Sequence, residues 1–141
     1  AFQRAQTPRG GRWRRFVGGS SAALNDQQLR GLHLFRTKGG CANCHNGPLL
    51  TDQKFHNLGL HFYGRELEDL GRYEVTRDPA DIGRFRTPSL LNVNRTGPWM
   101  HNGIFADLDG LLRFYNAGGA NPRPRAGQAG DPNFPQTDPV L

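Results

Sequence analysis

The sequence Cys41-Ala42-Asn43-Cys44-His45 constrains this chain more than any other feature. Two cysteines separated by two residues and followed at once by a histidine form the pattern to which c-type haem is attached. A single turn with this spacing brings both sulfurs to one edge of the porphyrin, where they add to the vinyl groups, and the adjacent histidine coordinates the iron. The pattern therefore predicts one haem c per chain, held by Cys41, Cys44 and His45.

A bound haem also fits the composition. Only 35% of the 141 residues are hydrophobic, and the 19 glycines and 10 prolines together exceed a fifth of the chain. The length is that of one domain, but a core built from protein alone would be thin. A haem would supply a large apolar surface on which side chains can pack.

Two other chemistries use a similar cysteine spacing. A Cys-x-x-Cys pair is also a thiol redox motif, but that fold requires a strand-helix-strand pattern around it, and none is visible here. Zinc could be bound by Cys41, Cys44, His56 and His61, whose spacing is close to that of a zinc finger. The central gap is short for a finger, and a zinc site leaves His45 unexplained. Both remain secondary alternatives.

The first predicted helix precedes the cysteines. Asn25 and Gln28 have the spacing of a capping box, which predicts the helix start. Apolar residues then recur at helical spacing, and Gly39 and Gly40 are expected to end the helix.

The second predicted helix begins after Asp107, a good N-cap, and ends at Gly118 and Gly119. One face should carry four apolar or aromatic residues at i, i+3, i+4 and i+7. These are Leu108, Leu111, Leu112 and Tyr115. Residues 46–106 are rich in proline and glycine and read as loops, and no strand signal is convincing.

These signals divide the chain into three parts. Residues 1–23 are predicted to be a basic arm without regular structure, residues 24–119 a haem domain, and residues 120–141 a Pro/Gly-rich segment. The predicted fold class is all-α, a class I cytochrome c-like helical domain with long loops around the haem.

The formal net charge is +6, and five arginines crowd the first 15 residues. Basic arms bind anionic partners such as nucleic acid or anionic lipid, but a solvated or partner-facing arm is the simpler interpretation. Nothing else resembles a nucleic-acid-binding module, so no nucleic-acid partner is predicted. No apolar run approaches the length that spans a membrane, so no membrane span is predicted either.

The residues alone do not decide which side chain is the second axial ligand of the iron. Candidates are Met100, Tyr115, His56, His61 and His101. Met100 is the only methionine, and its loop position slightly favours it on chemistry alone, although methionine also serves as a packing residue. Tyr115 is predicted to point inward from its helix.

Several motifs that occur in order resemble the bacterial di-haem cytochrome c peroxidase superfamily. They cover about residues 25–119 and continue through the Phe-Tyr-Asn sequence that contains Tyr115. The stretches are Gly39–Pro48, Phe55–Gly59, Phe85–Val93 and Thr96–Gly103. They are similar to the C-terminal haem domain of this superfamily, which includes the tyrosine-ligated di-haem enzyme of methylamine dehydrogenase maturation.

The resemblance implies specific roles. The family's axial methionine lies twelve residues after the glycine that matches Gly103, and this count reaches Tyr115, so the resemblance favours Tyr115 over Met100. Thr96 and Pro98 match positions whose backbone carbonyls help to hold an interdomain calcium. Two carbonyls alone make an incomplete shell for this ion.

The expected function is therefore that of the electron-transfer haem domain of a periplasmic di-haem peroxidase-like oxidoreductase. Its partners would be a second haem domain or subunit and a redox protein. The parent protein is expected to be an enzyme, whereas this chain, a fragment or one subunit, is not expected to turn over peroxide alone. The rival hypothesis is a monohaem electron carrier with His45 and Met100 as iron ligands.

Overall fold

The computed structural model describes residues 10–139. These residues belong to two compact units that divide between Asn43 and Cys44. Helices and strands are numbered along the described chain. Within it, no helix is both long and apolar enough to cross a membrane.

The first unit contains helix α1 (Arg12–Val17) and helix α2 (Asp26–Arg36), with short 3-10 turns at Ser21–Ala23 and Cys41–Asn43. Helix α2 starts as predicted, because the Asn25 side chain accepts from the Gln28 N–H while the Gln28 side chain accepts from the Asn25 N–H. Both groups thereby satisfy backbone donors that a helix start leaves unpaired.

Helix α1 departs from the prediction of an irregular arm. Its first turn is closed by the Arg15 N–H on the Gly11 carbonyl, at 3.2 Å, and its end by the Gly18 N–H on the Arg14 carbonyl, at 2.9 Å. Arginine has high helix propensity. A helix of one turn and a half is too short for an apolar repeat to reveal it in the sequence. The part of the predicted arm over residues 1–9 lies outside the described residues.

The second unit contains strands β1 (Phe55–His56) and β2 (Phe85–Arg86), helix α3 (Tyr73–Thr76) and helix α4 (Leu108–Asn116), with 3-10 turns at Pro79–Asp81 and Val93–Arg95. The strands pair antiparallel, with Phe55 opposite Arg86 and His56 opposite Phe85. The prediction of an all-α fold without strands was wrong in this respect. Strands of two residues are too short to produce the alternation by which strands are predicted.

Helix α4 matches its prediction closely. The Asp107 carboxylate accepts from the Gly110 N–H at 2.7 Å, and beyond Asn116 the Gly118 N–H returns to the Tyr115 carbonyl at 2.9 Å. Of the predicted apolar face, Leu108, Leu111 and Tyr115 are half-buried. The remaining member, Leu112, is 60% exposed.

The interior of the second unit is small and partly polar. Among the described residues, Leu60 and Ile82 are the buried apolar side chains, and the buried polar ones are Asn57, His61 and Thr87. This agrees with the thin core that the composition predicts.

Residues 120–139 contain no helix or strand, yet they are tied to the unit by backbone bonds. The Ala120 N–H donates to the Leu58 carbonyl at 3.1 Å, and the Asp138 N–H donates to the Asn57 carbonyl at 2.9 Å. The Pro/Gly-rich segment is therefore ordered by pairing with residues 57 and 58.

Candidate functional site

The loop from Cys44 to Asp52 closes on itself through backbone hydrogen bonds. The Asp52 N–H donates to the Cys44 carbonyl at 2.7 Å, and the Thr51 N–H donates to the Asn46 carbonyl at 2.8 Å. Gly47 supports this turn with a φ of 70°, a conformation that glycine adopts without steric cost. The second cysteine and the histidine of the motif are thus the first residues of a closed loop.

His45 is oriented by that same loop. Its Nδ1 lies 3.1 Å from the Leu50 carbonyl oxygen, and because a carbonyl can only accept, Nδ1 carries the proton. Burial lowers the pKa of His45, while the carbonyls of Leu50 and Pro88 oppose this in part. A neutral imidazole that donates from Nδ1 to a carbonyl presents Nε2 as its metal-binding atom.

Two side chains fasten the loop to residues 87–89. The Thr51 hydroxyl donates to the Thr87 carbonyl at 2.7 Å, and the Ser89 hydroxyl donates to the Leu49 carbonyl at 2.6 Å. Leu49 and Thr51 flank Leu50 in the chain. These bonds therefore hold in place the carbonyl that orients His45.

Asp52 begins a second polar network at the end of the loop. Its carboxylate lies 2.8 Å from Nε2 of His56, and Nδ1 of His56 lies 3.5 Å from the carboxylate of Asp138. Arg84 pairs with Asp138 at 3.1 Å. His56 thus stands between two carboxylates, one of which is neutralised by a guanidinium.

The ionised form of the Asp52 carboxyl group is strongly favoured. Burial raises the pKa of its carboxyl, but hydrogen bonds from His56, the Lys54 N–H and Thr87 outweigh this and bring the pKa to about 2. Asp52 is therefore ionised at any physiological pH, and its side chain is only 10% exposed.

Sequence reasoning missed Asp52, Arg84 and Asp138. Asp52 could have been noticed, since it lies four residues before His56. Asp138 had no such signal, because it is more than eighty residues from His56 in the chain and reaches it only through the tertiary fold.

The zinc alternative gains no support for its full ligand set. Among the described residues, the ligand atoms that gather within 4.8 Å of one another belong to Cys44, Asp52 and His56. His61 is not in this group.

His61 belongs instead to an aromatic cluster. It is fully buried, with its ring edge-on to Tyr63 and Phe134 at centroid distances of 6.4 and 6.3 Å. Its Nδ1 accepts from the Tyr63 N–H at 3.0 Å, so the proton lies on Nε2. Within the described chain, Nε2 has no hydrogen-bond partner.

The remaining candidate iron ligands also lie in the second unit. Tyr115 is half-buried on α4, next to the Phe114 ring at 5.6 Å. Met100 is half-buried in a turn and has a φ of 67°. His101 stacks on Phe85 at 3.6 Å, with its Nε2 3.8 Å from Asp69, and burial lowers the pKa of His101.

Thr96 and Pro98, the residues matched to a calcium site, lie on the exposed surface. The Thr96 hydroxyl donates to the Val93 carbonyl at 3.1 Å. Its backbone carbonyl is the atom that the resemblance assigns to calcium.

The residues present fit a c-type haem. In the first unit, the Cys41 thiol donates to the Gly39 carbonyl at 3.3 Å, and in the second, His45 has the tautomer that suits iron. Large apolar side chains of the second unit are also exposed, among them Ile104 at 50% and Leu112 at 60%. Such side chains suit a chain that packs against an apolar cofactor or a further domain.

Known proteins resemble this chain in sequence and in fold. No protein-family model matches it. Cytochrome-c peroxidase IdrP1 of Denitromonas iodatirespirans is 42% identical over 132 residues, which cover 74% of this chain and 35% of that protein. Methylamine utilization protein MauG of Methylorubrum extorquens is 35% identical over 120 residues, covering 84% of this chain and 33% of that protein.

A solved structure agrees with these relatives. The crystal structure of a MauG-like protein associated with microbial copper homeostasis matches with a TM-score of 0.75 and 31% identity, over 89% of this chain and 43% of that one. The chain spans about a third of the length of the curated relatives it matches. Because sequence and fold agree, the chain belongs to the bacterial di-haem cytochrome c peroxidase superfamily, which includes MauG.

Proposed function

We propose that this chain is the haem-bearing electron-transfer domain of a periplasmic di-haem cytochrome c peroxidase-like oxidoreductase. The observation that carries the proposal is the bond from Nδ1 of His45 to the Leu50 carbonyl, 3.1 Å long, directly after the second cysteine of a haem-attachment pattern. It prepares His45 as an iron ligand at the position where the pattern requires one.

The chain's own residues hold and orient the cofactor. Cys41 and Cys44 would carry it through two thioether bonds, and His45 would coordinate its iron. Bound haem supplies one-electron chemistry at the iron. The Leu50 carbonyl increases the electron donation of His45, and Ser89 keeps the loop that carries Leu50 in place.

The second axial ligand in this proposal is Tyr115. Two features support it: the half-buried position of Tyr115 beside Leu108 and Leu111 on one face of α4, and its match in register to the family's ligand position. A phenolate is a hard anionic donor that favours ferric iron and lowers the reduction potential. Since free tyrosine has a pKa near 10, ligation requires the ferric ion to stabilise the phenolate.

Mass spectrometry of the denatured protein tests the cofactor. We expect the mass of the polypeptide plus one haem, and loss of that haem on denaturation of a Cys41→Ser, Cys44→Ser double variant. An unmodified chain mass in the intact protein, or zinc in place of iron, would contradict the proposal.

Two matched variants test the axial ligand. Tyr115→Phe should open a coordination position and raise the reduction potential, whereas Met100→Leu should leave the visible spectrum nearly unchanged. The reverse result, with a thioether-to-iron band lost in Met100→Leu, would favour the monohaem electron carrier.

Activity of the whole protein would require a second haem domain or subunit, as the di-haem relatives suggest. Coordination by both His45 and Tyr115 would leave no position on the iron for peroxide. We therefore expect the isolated chain to reduce hydrogen peroxide slowly or not at all. Fast turnover by the purified chain would show that the Tyr115 position is open.

Calcium belongs to the same assembly in this proposal. The carbonyls of Thr96 and Pro98 would contribute to its shell, with the remaining oxygens supplied by water and the second domain. The isolated chain should bind calcium weakly in isothermal titration, and tight binding would show that the site lies elsewhere.

A further inference from the structure

We infer that helix α1 docks the protein on an anionic phospholipid membrane surface. This goes beyond the proposed redox function, which makes no use of the residues before Asn25. The inference depends on three independent features of α1 and its surroundings: charge, the arrangement of its two faces, and a cavity beside it.

The charge of the chain is concentrated in the first unit. Residues 10–43 contain six basic residues and one acidic residue, whereas residues 44–139 contain ten basic and eleven acidic residues. Among the described residues, Arg12, Arg14 and Arg15 are exposed and form no ion pair. Their charge is therefore available to an external anion.

Helical geometry separates the residues of α1 into two faces. At about 100° per residue, Trp13, Phe16 and Val17 fall on one contiguous arc, and the three arginines occupy the rest of the circumference. Trp13 and Phe16 lie with ring centroids 6.2 Å apart, and Val17 is 61% exposed. Basic residues opposite Trp, Phe and an aliphatic residue are typical of helices that lie in a membrane interface.

The cavity has the charge and size for a phosphate headgroup. Arg12 and Arg15 line an open cavity of about 380 Å³, together with the polar residues Ser20, Asn25 and Gln28. A guanidinium pairs well with phosphate oxygens because its N–H groups form a planar fork. The two guanidinium groups beside one cavity provide a binding site for a lipid phosphodiester.

The apolar arc decides between the partners that a basic surface can bind. An acidic protein or a nucleic acid would use the arginines but would not require an exposed valine beside two aromatic rings. A bilayer uses both, because the arginines meet anionic headgroups while the apolar arc enters the interface.

Co-sedimentation of the haem-loaded chain with vesicles tests the inference. We expect binding to phosphatidylcholine vesicles that contain phosphatidylglycerol, little binding to pure phosphatidylcholine, and loss of binding at high salt. Each arginine near an anionic surface contributes about fivefold in affinity, so the Arg12→Gln, Arg14→Gln, Arg15→Gln variant should bind about 100-fold more weakly.

A matched variant separates the helix from net charge. Arg30→Gln, Arg95→Gln, Arg125→Gln removes the same charge from exposed arginines elsewhere and should retain most of the binding. Val17→Ser should weaken binding several-fold, whereas Val75→Ser, at a site 86% exposed, should have no effect. An unchanged visible spectrum shows that each variant is folded.

Three results would overturn the docking of α1 on a membrane, and a fourth would overturn the binding of a lipid phosphate in the cavity. The first is no binding of the unaltered chain to anionic vesicles at low salt. The second is equal weakening by the two arginine variants, which would show that net charge alone acts. The third is binding to duplex DNA but not to vesicles. The fourth is displacement from vesicles by inorganic phosphate no better than by sodium chloride at the same ionic strength, which would leave the cavity without a role.

Discussion

The loop from Cys44 to Asp52 contains a half-buried histidine and the cluster around His61 a fully buried one, and the two histidines are oriented in opposite ways. Nδ1 of His45 donates to a backbone carbonyl, so this nitrogen holds the proton and Nε2 is left with the lone pair that a metal requires. Nδ1 of His61 accepts from the Tyr63 N–H, so the proton lies on Nε2. The backbone group that faces Nδ1 therefore decides whether a histidine can serve as an iron ligand through Nε2.

His56 is an intermediate case. Both of its nitrogens lie near carboxylates, those of Asp52 and Asp138. Its position between two carboxylates distinguishes it from both His45 and His61. The preceding cysteines identify His45 in the sequence, whereas His56 and His61 are distinguished only by the hydrogen-bond partners that the fold gives them.

The largest expected effect concerns His45 and His61. His45→Gly should remove an axial ligand and abolish the six-coordinate spectrum of the haem-loaded chain. His61→Phe keeps a ring of similar size in the aromatic cluster and should leave the spectrum unchanged. Visible spectra of both variants would check this, and a changed spectrum in His61→Phe would place His61 at the iron.

The next effect concerns the network around His56. Asp52→Ala should lower the free energy of unfolding by about 2–3 kcal/mol, because it leaves a half-buried imidazole and a backbone N–H without their acceptor. Urea unfolding measures the change. Asp109→Ala is the control, since it breaks an exposed pair with Arg113 on α4 and should cost about 0.5 kcal/mol. Equal losses would mean that the Asp52 network adds nothing beyond an exposed pair.

A third effect concerns the loop that orients His45. Ser89→Ala removes the hydroxyl bonded to the Leu49 carbonyl and should cost about 1 kcal/mol. It should also shift the reduction potential of the haem, because the neighbouring Leu50 carbonyl faces His45. Protein-film voltammetry would detect the shift, which Ser21→Ala in the first unit should not produce.

The smallest effect is the pH dependence contributed by His61. Burial lowers the pKa of His61 below its ordinary value of 6.5, so the unfolded chain binds a proton that the folded chain does not. Stability should therefore fall as the pH decreases from about 6.5 toward the folded-state pKa, and be unaffected above this range. His61→Phe should reduce the slope of unfolding free energy against pH between 5 and 7.

An exposed site without a titratable group provides the control for this measurement. Leu34→Gln, at a position 53% exposed, should leave the slope as it is in the unaltered chain. An unchanged slope in His61→Phe would mean that His61 takes up its proton equally in both states, and that its burial has no energetic consequence.

Local signals predicted the helices well where capping groups lie within a few residues of each other. Asn25 with Gln28, and Asp107 with Gly110, each satisfy backbone donors three residues away, so the sequence alone contains the information. Strands β1 and β2 could not be found in this way, because each has two residues and its partner lies about thirty residues away.

The haem-attachment pattern and the iron ligand proposed from it, His45, could be predicted from the sequence alone, because this chemistry requires residues at fixed short separations. The tertiary structure decided which groups surround them. The carbonyl of Leu50 faces His45 because Thr51 bonds to the Thr87 carbonyl and Ser89 bonds to the Leu49 carbonyl. Asp138 reaches His56 across most of the second unit. Contacts of this kind depend on how distant segments pack, so short-range sequence patterns do not predict them.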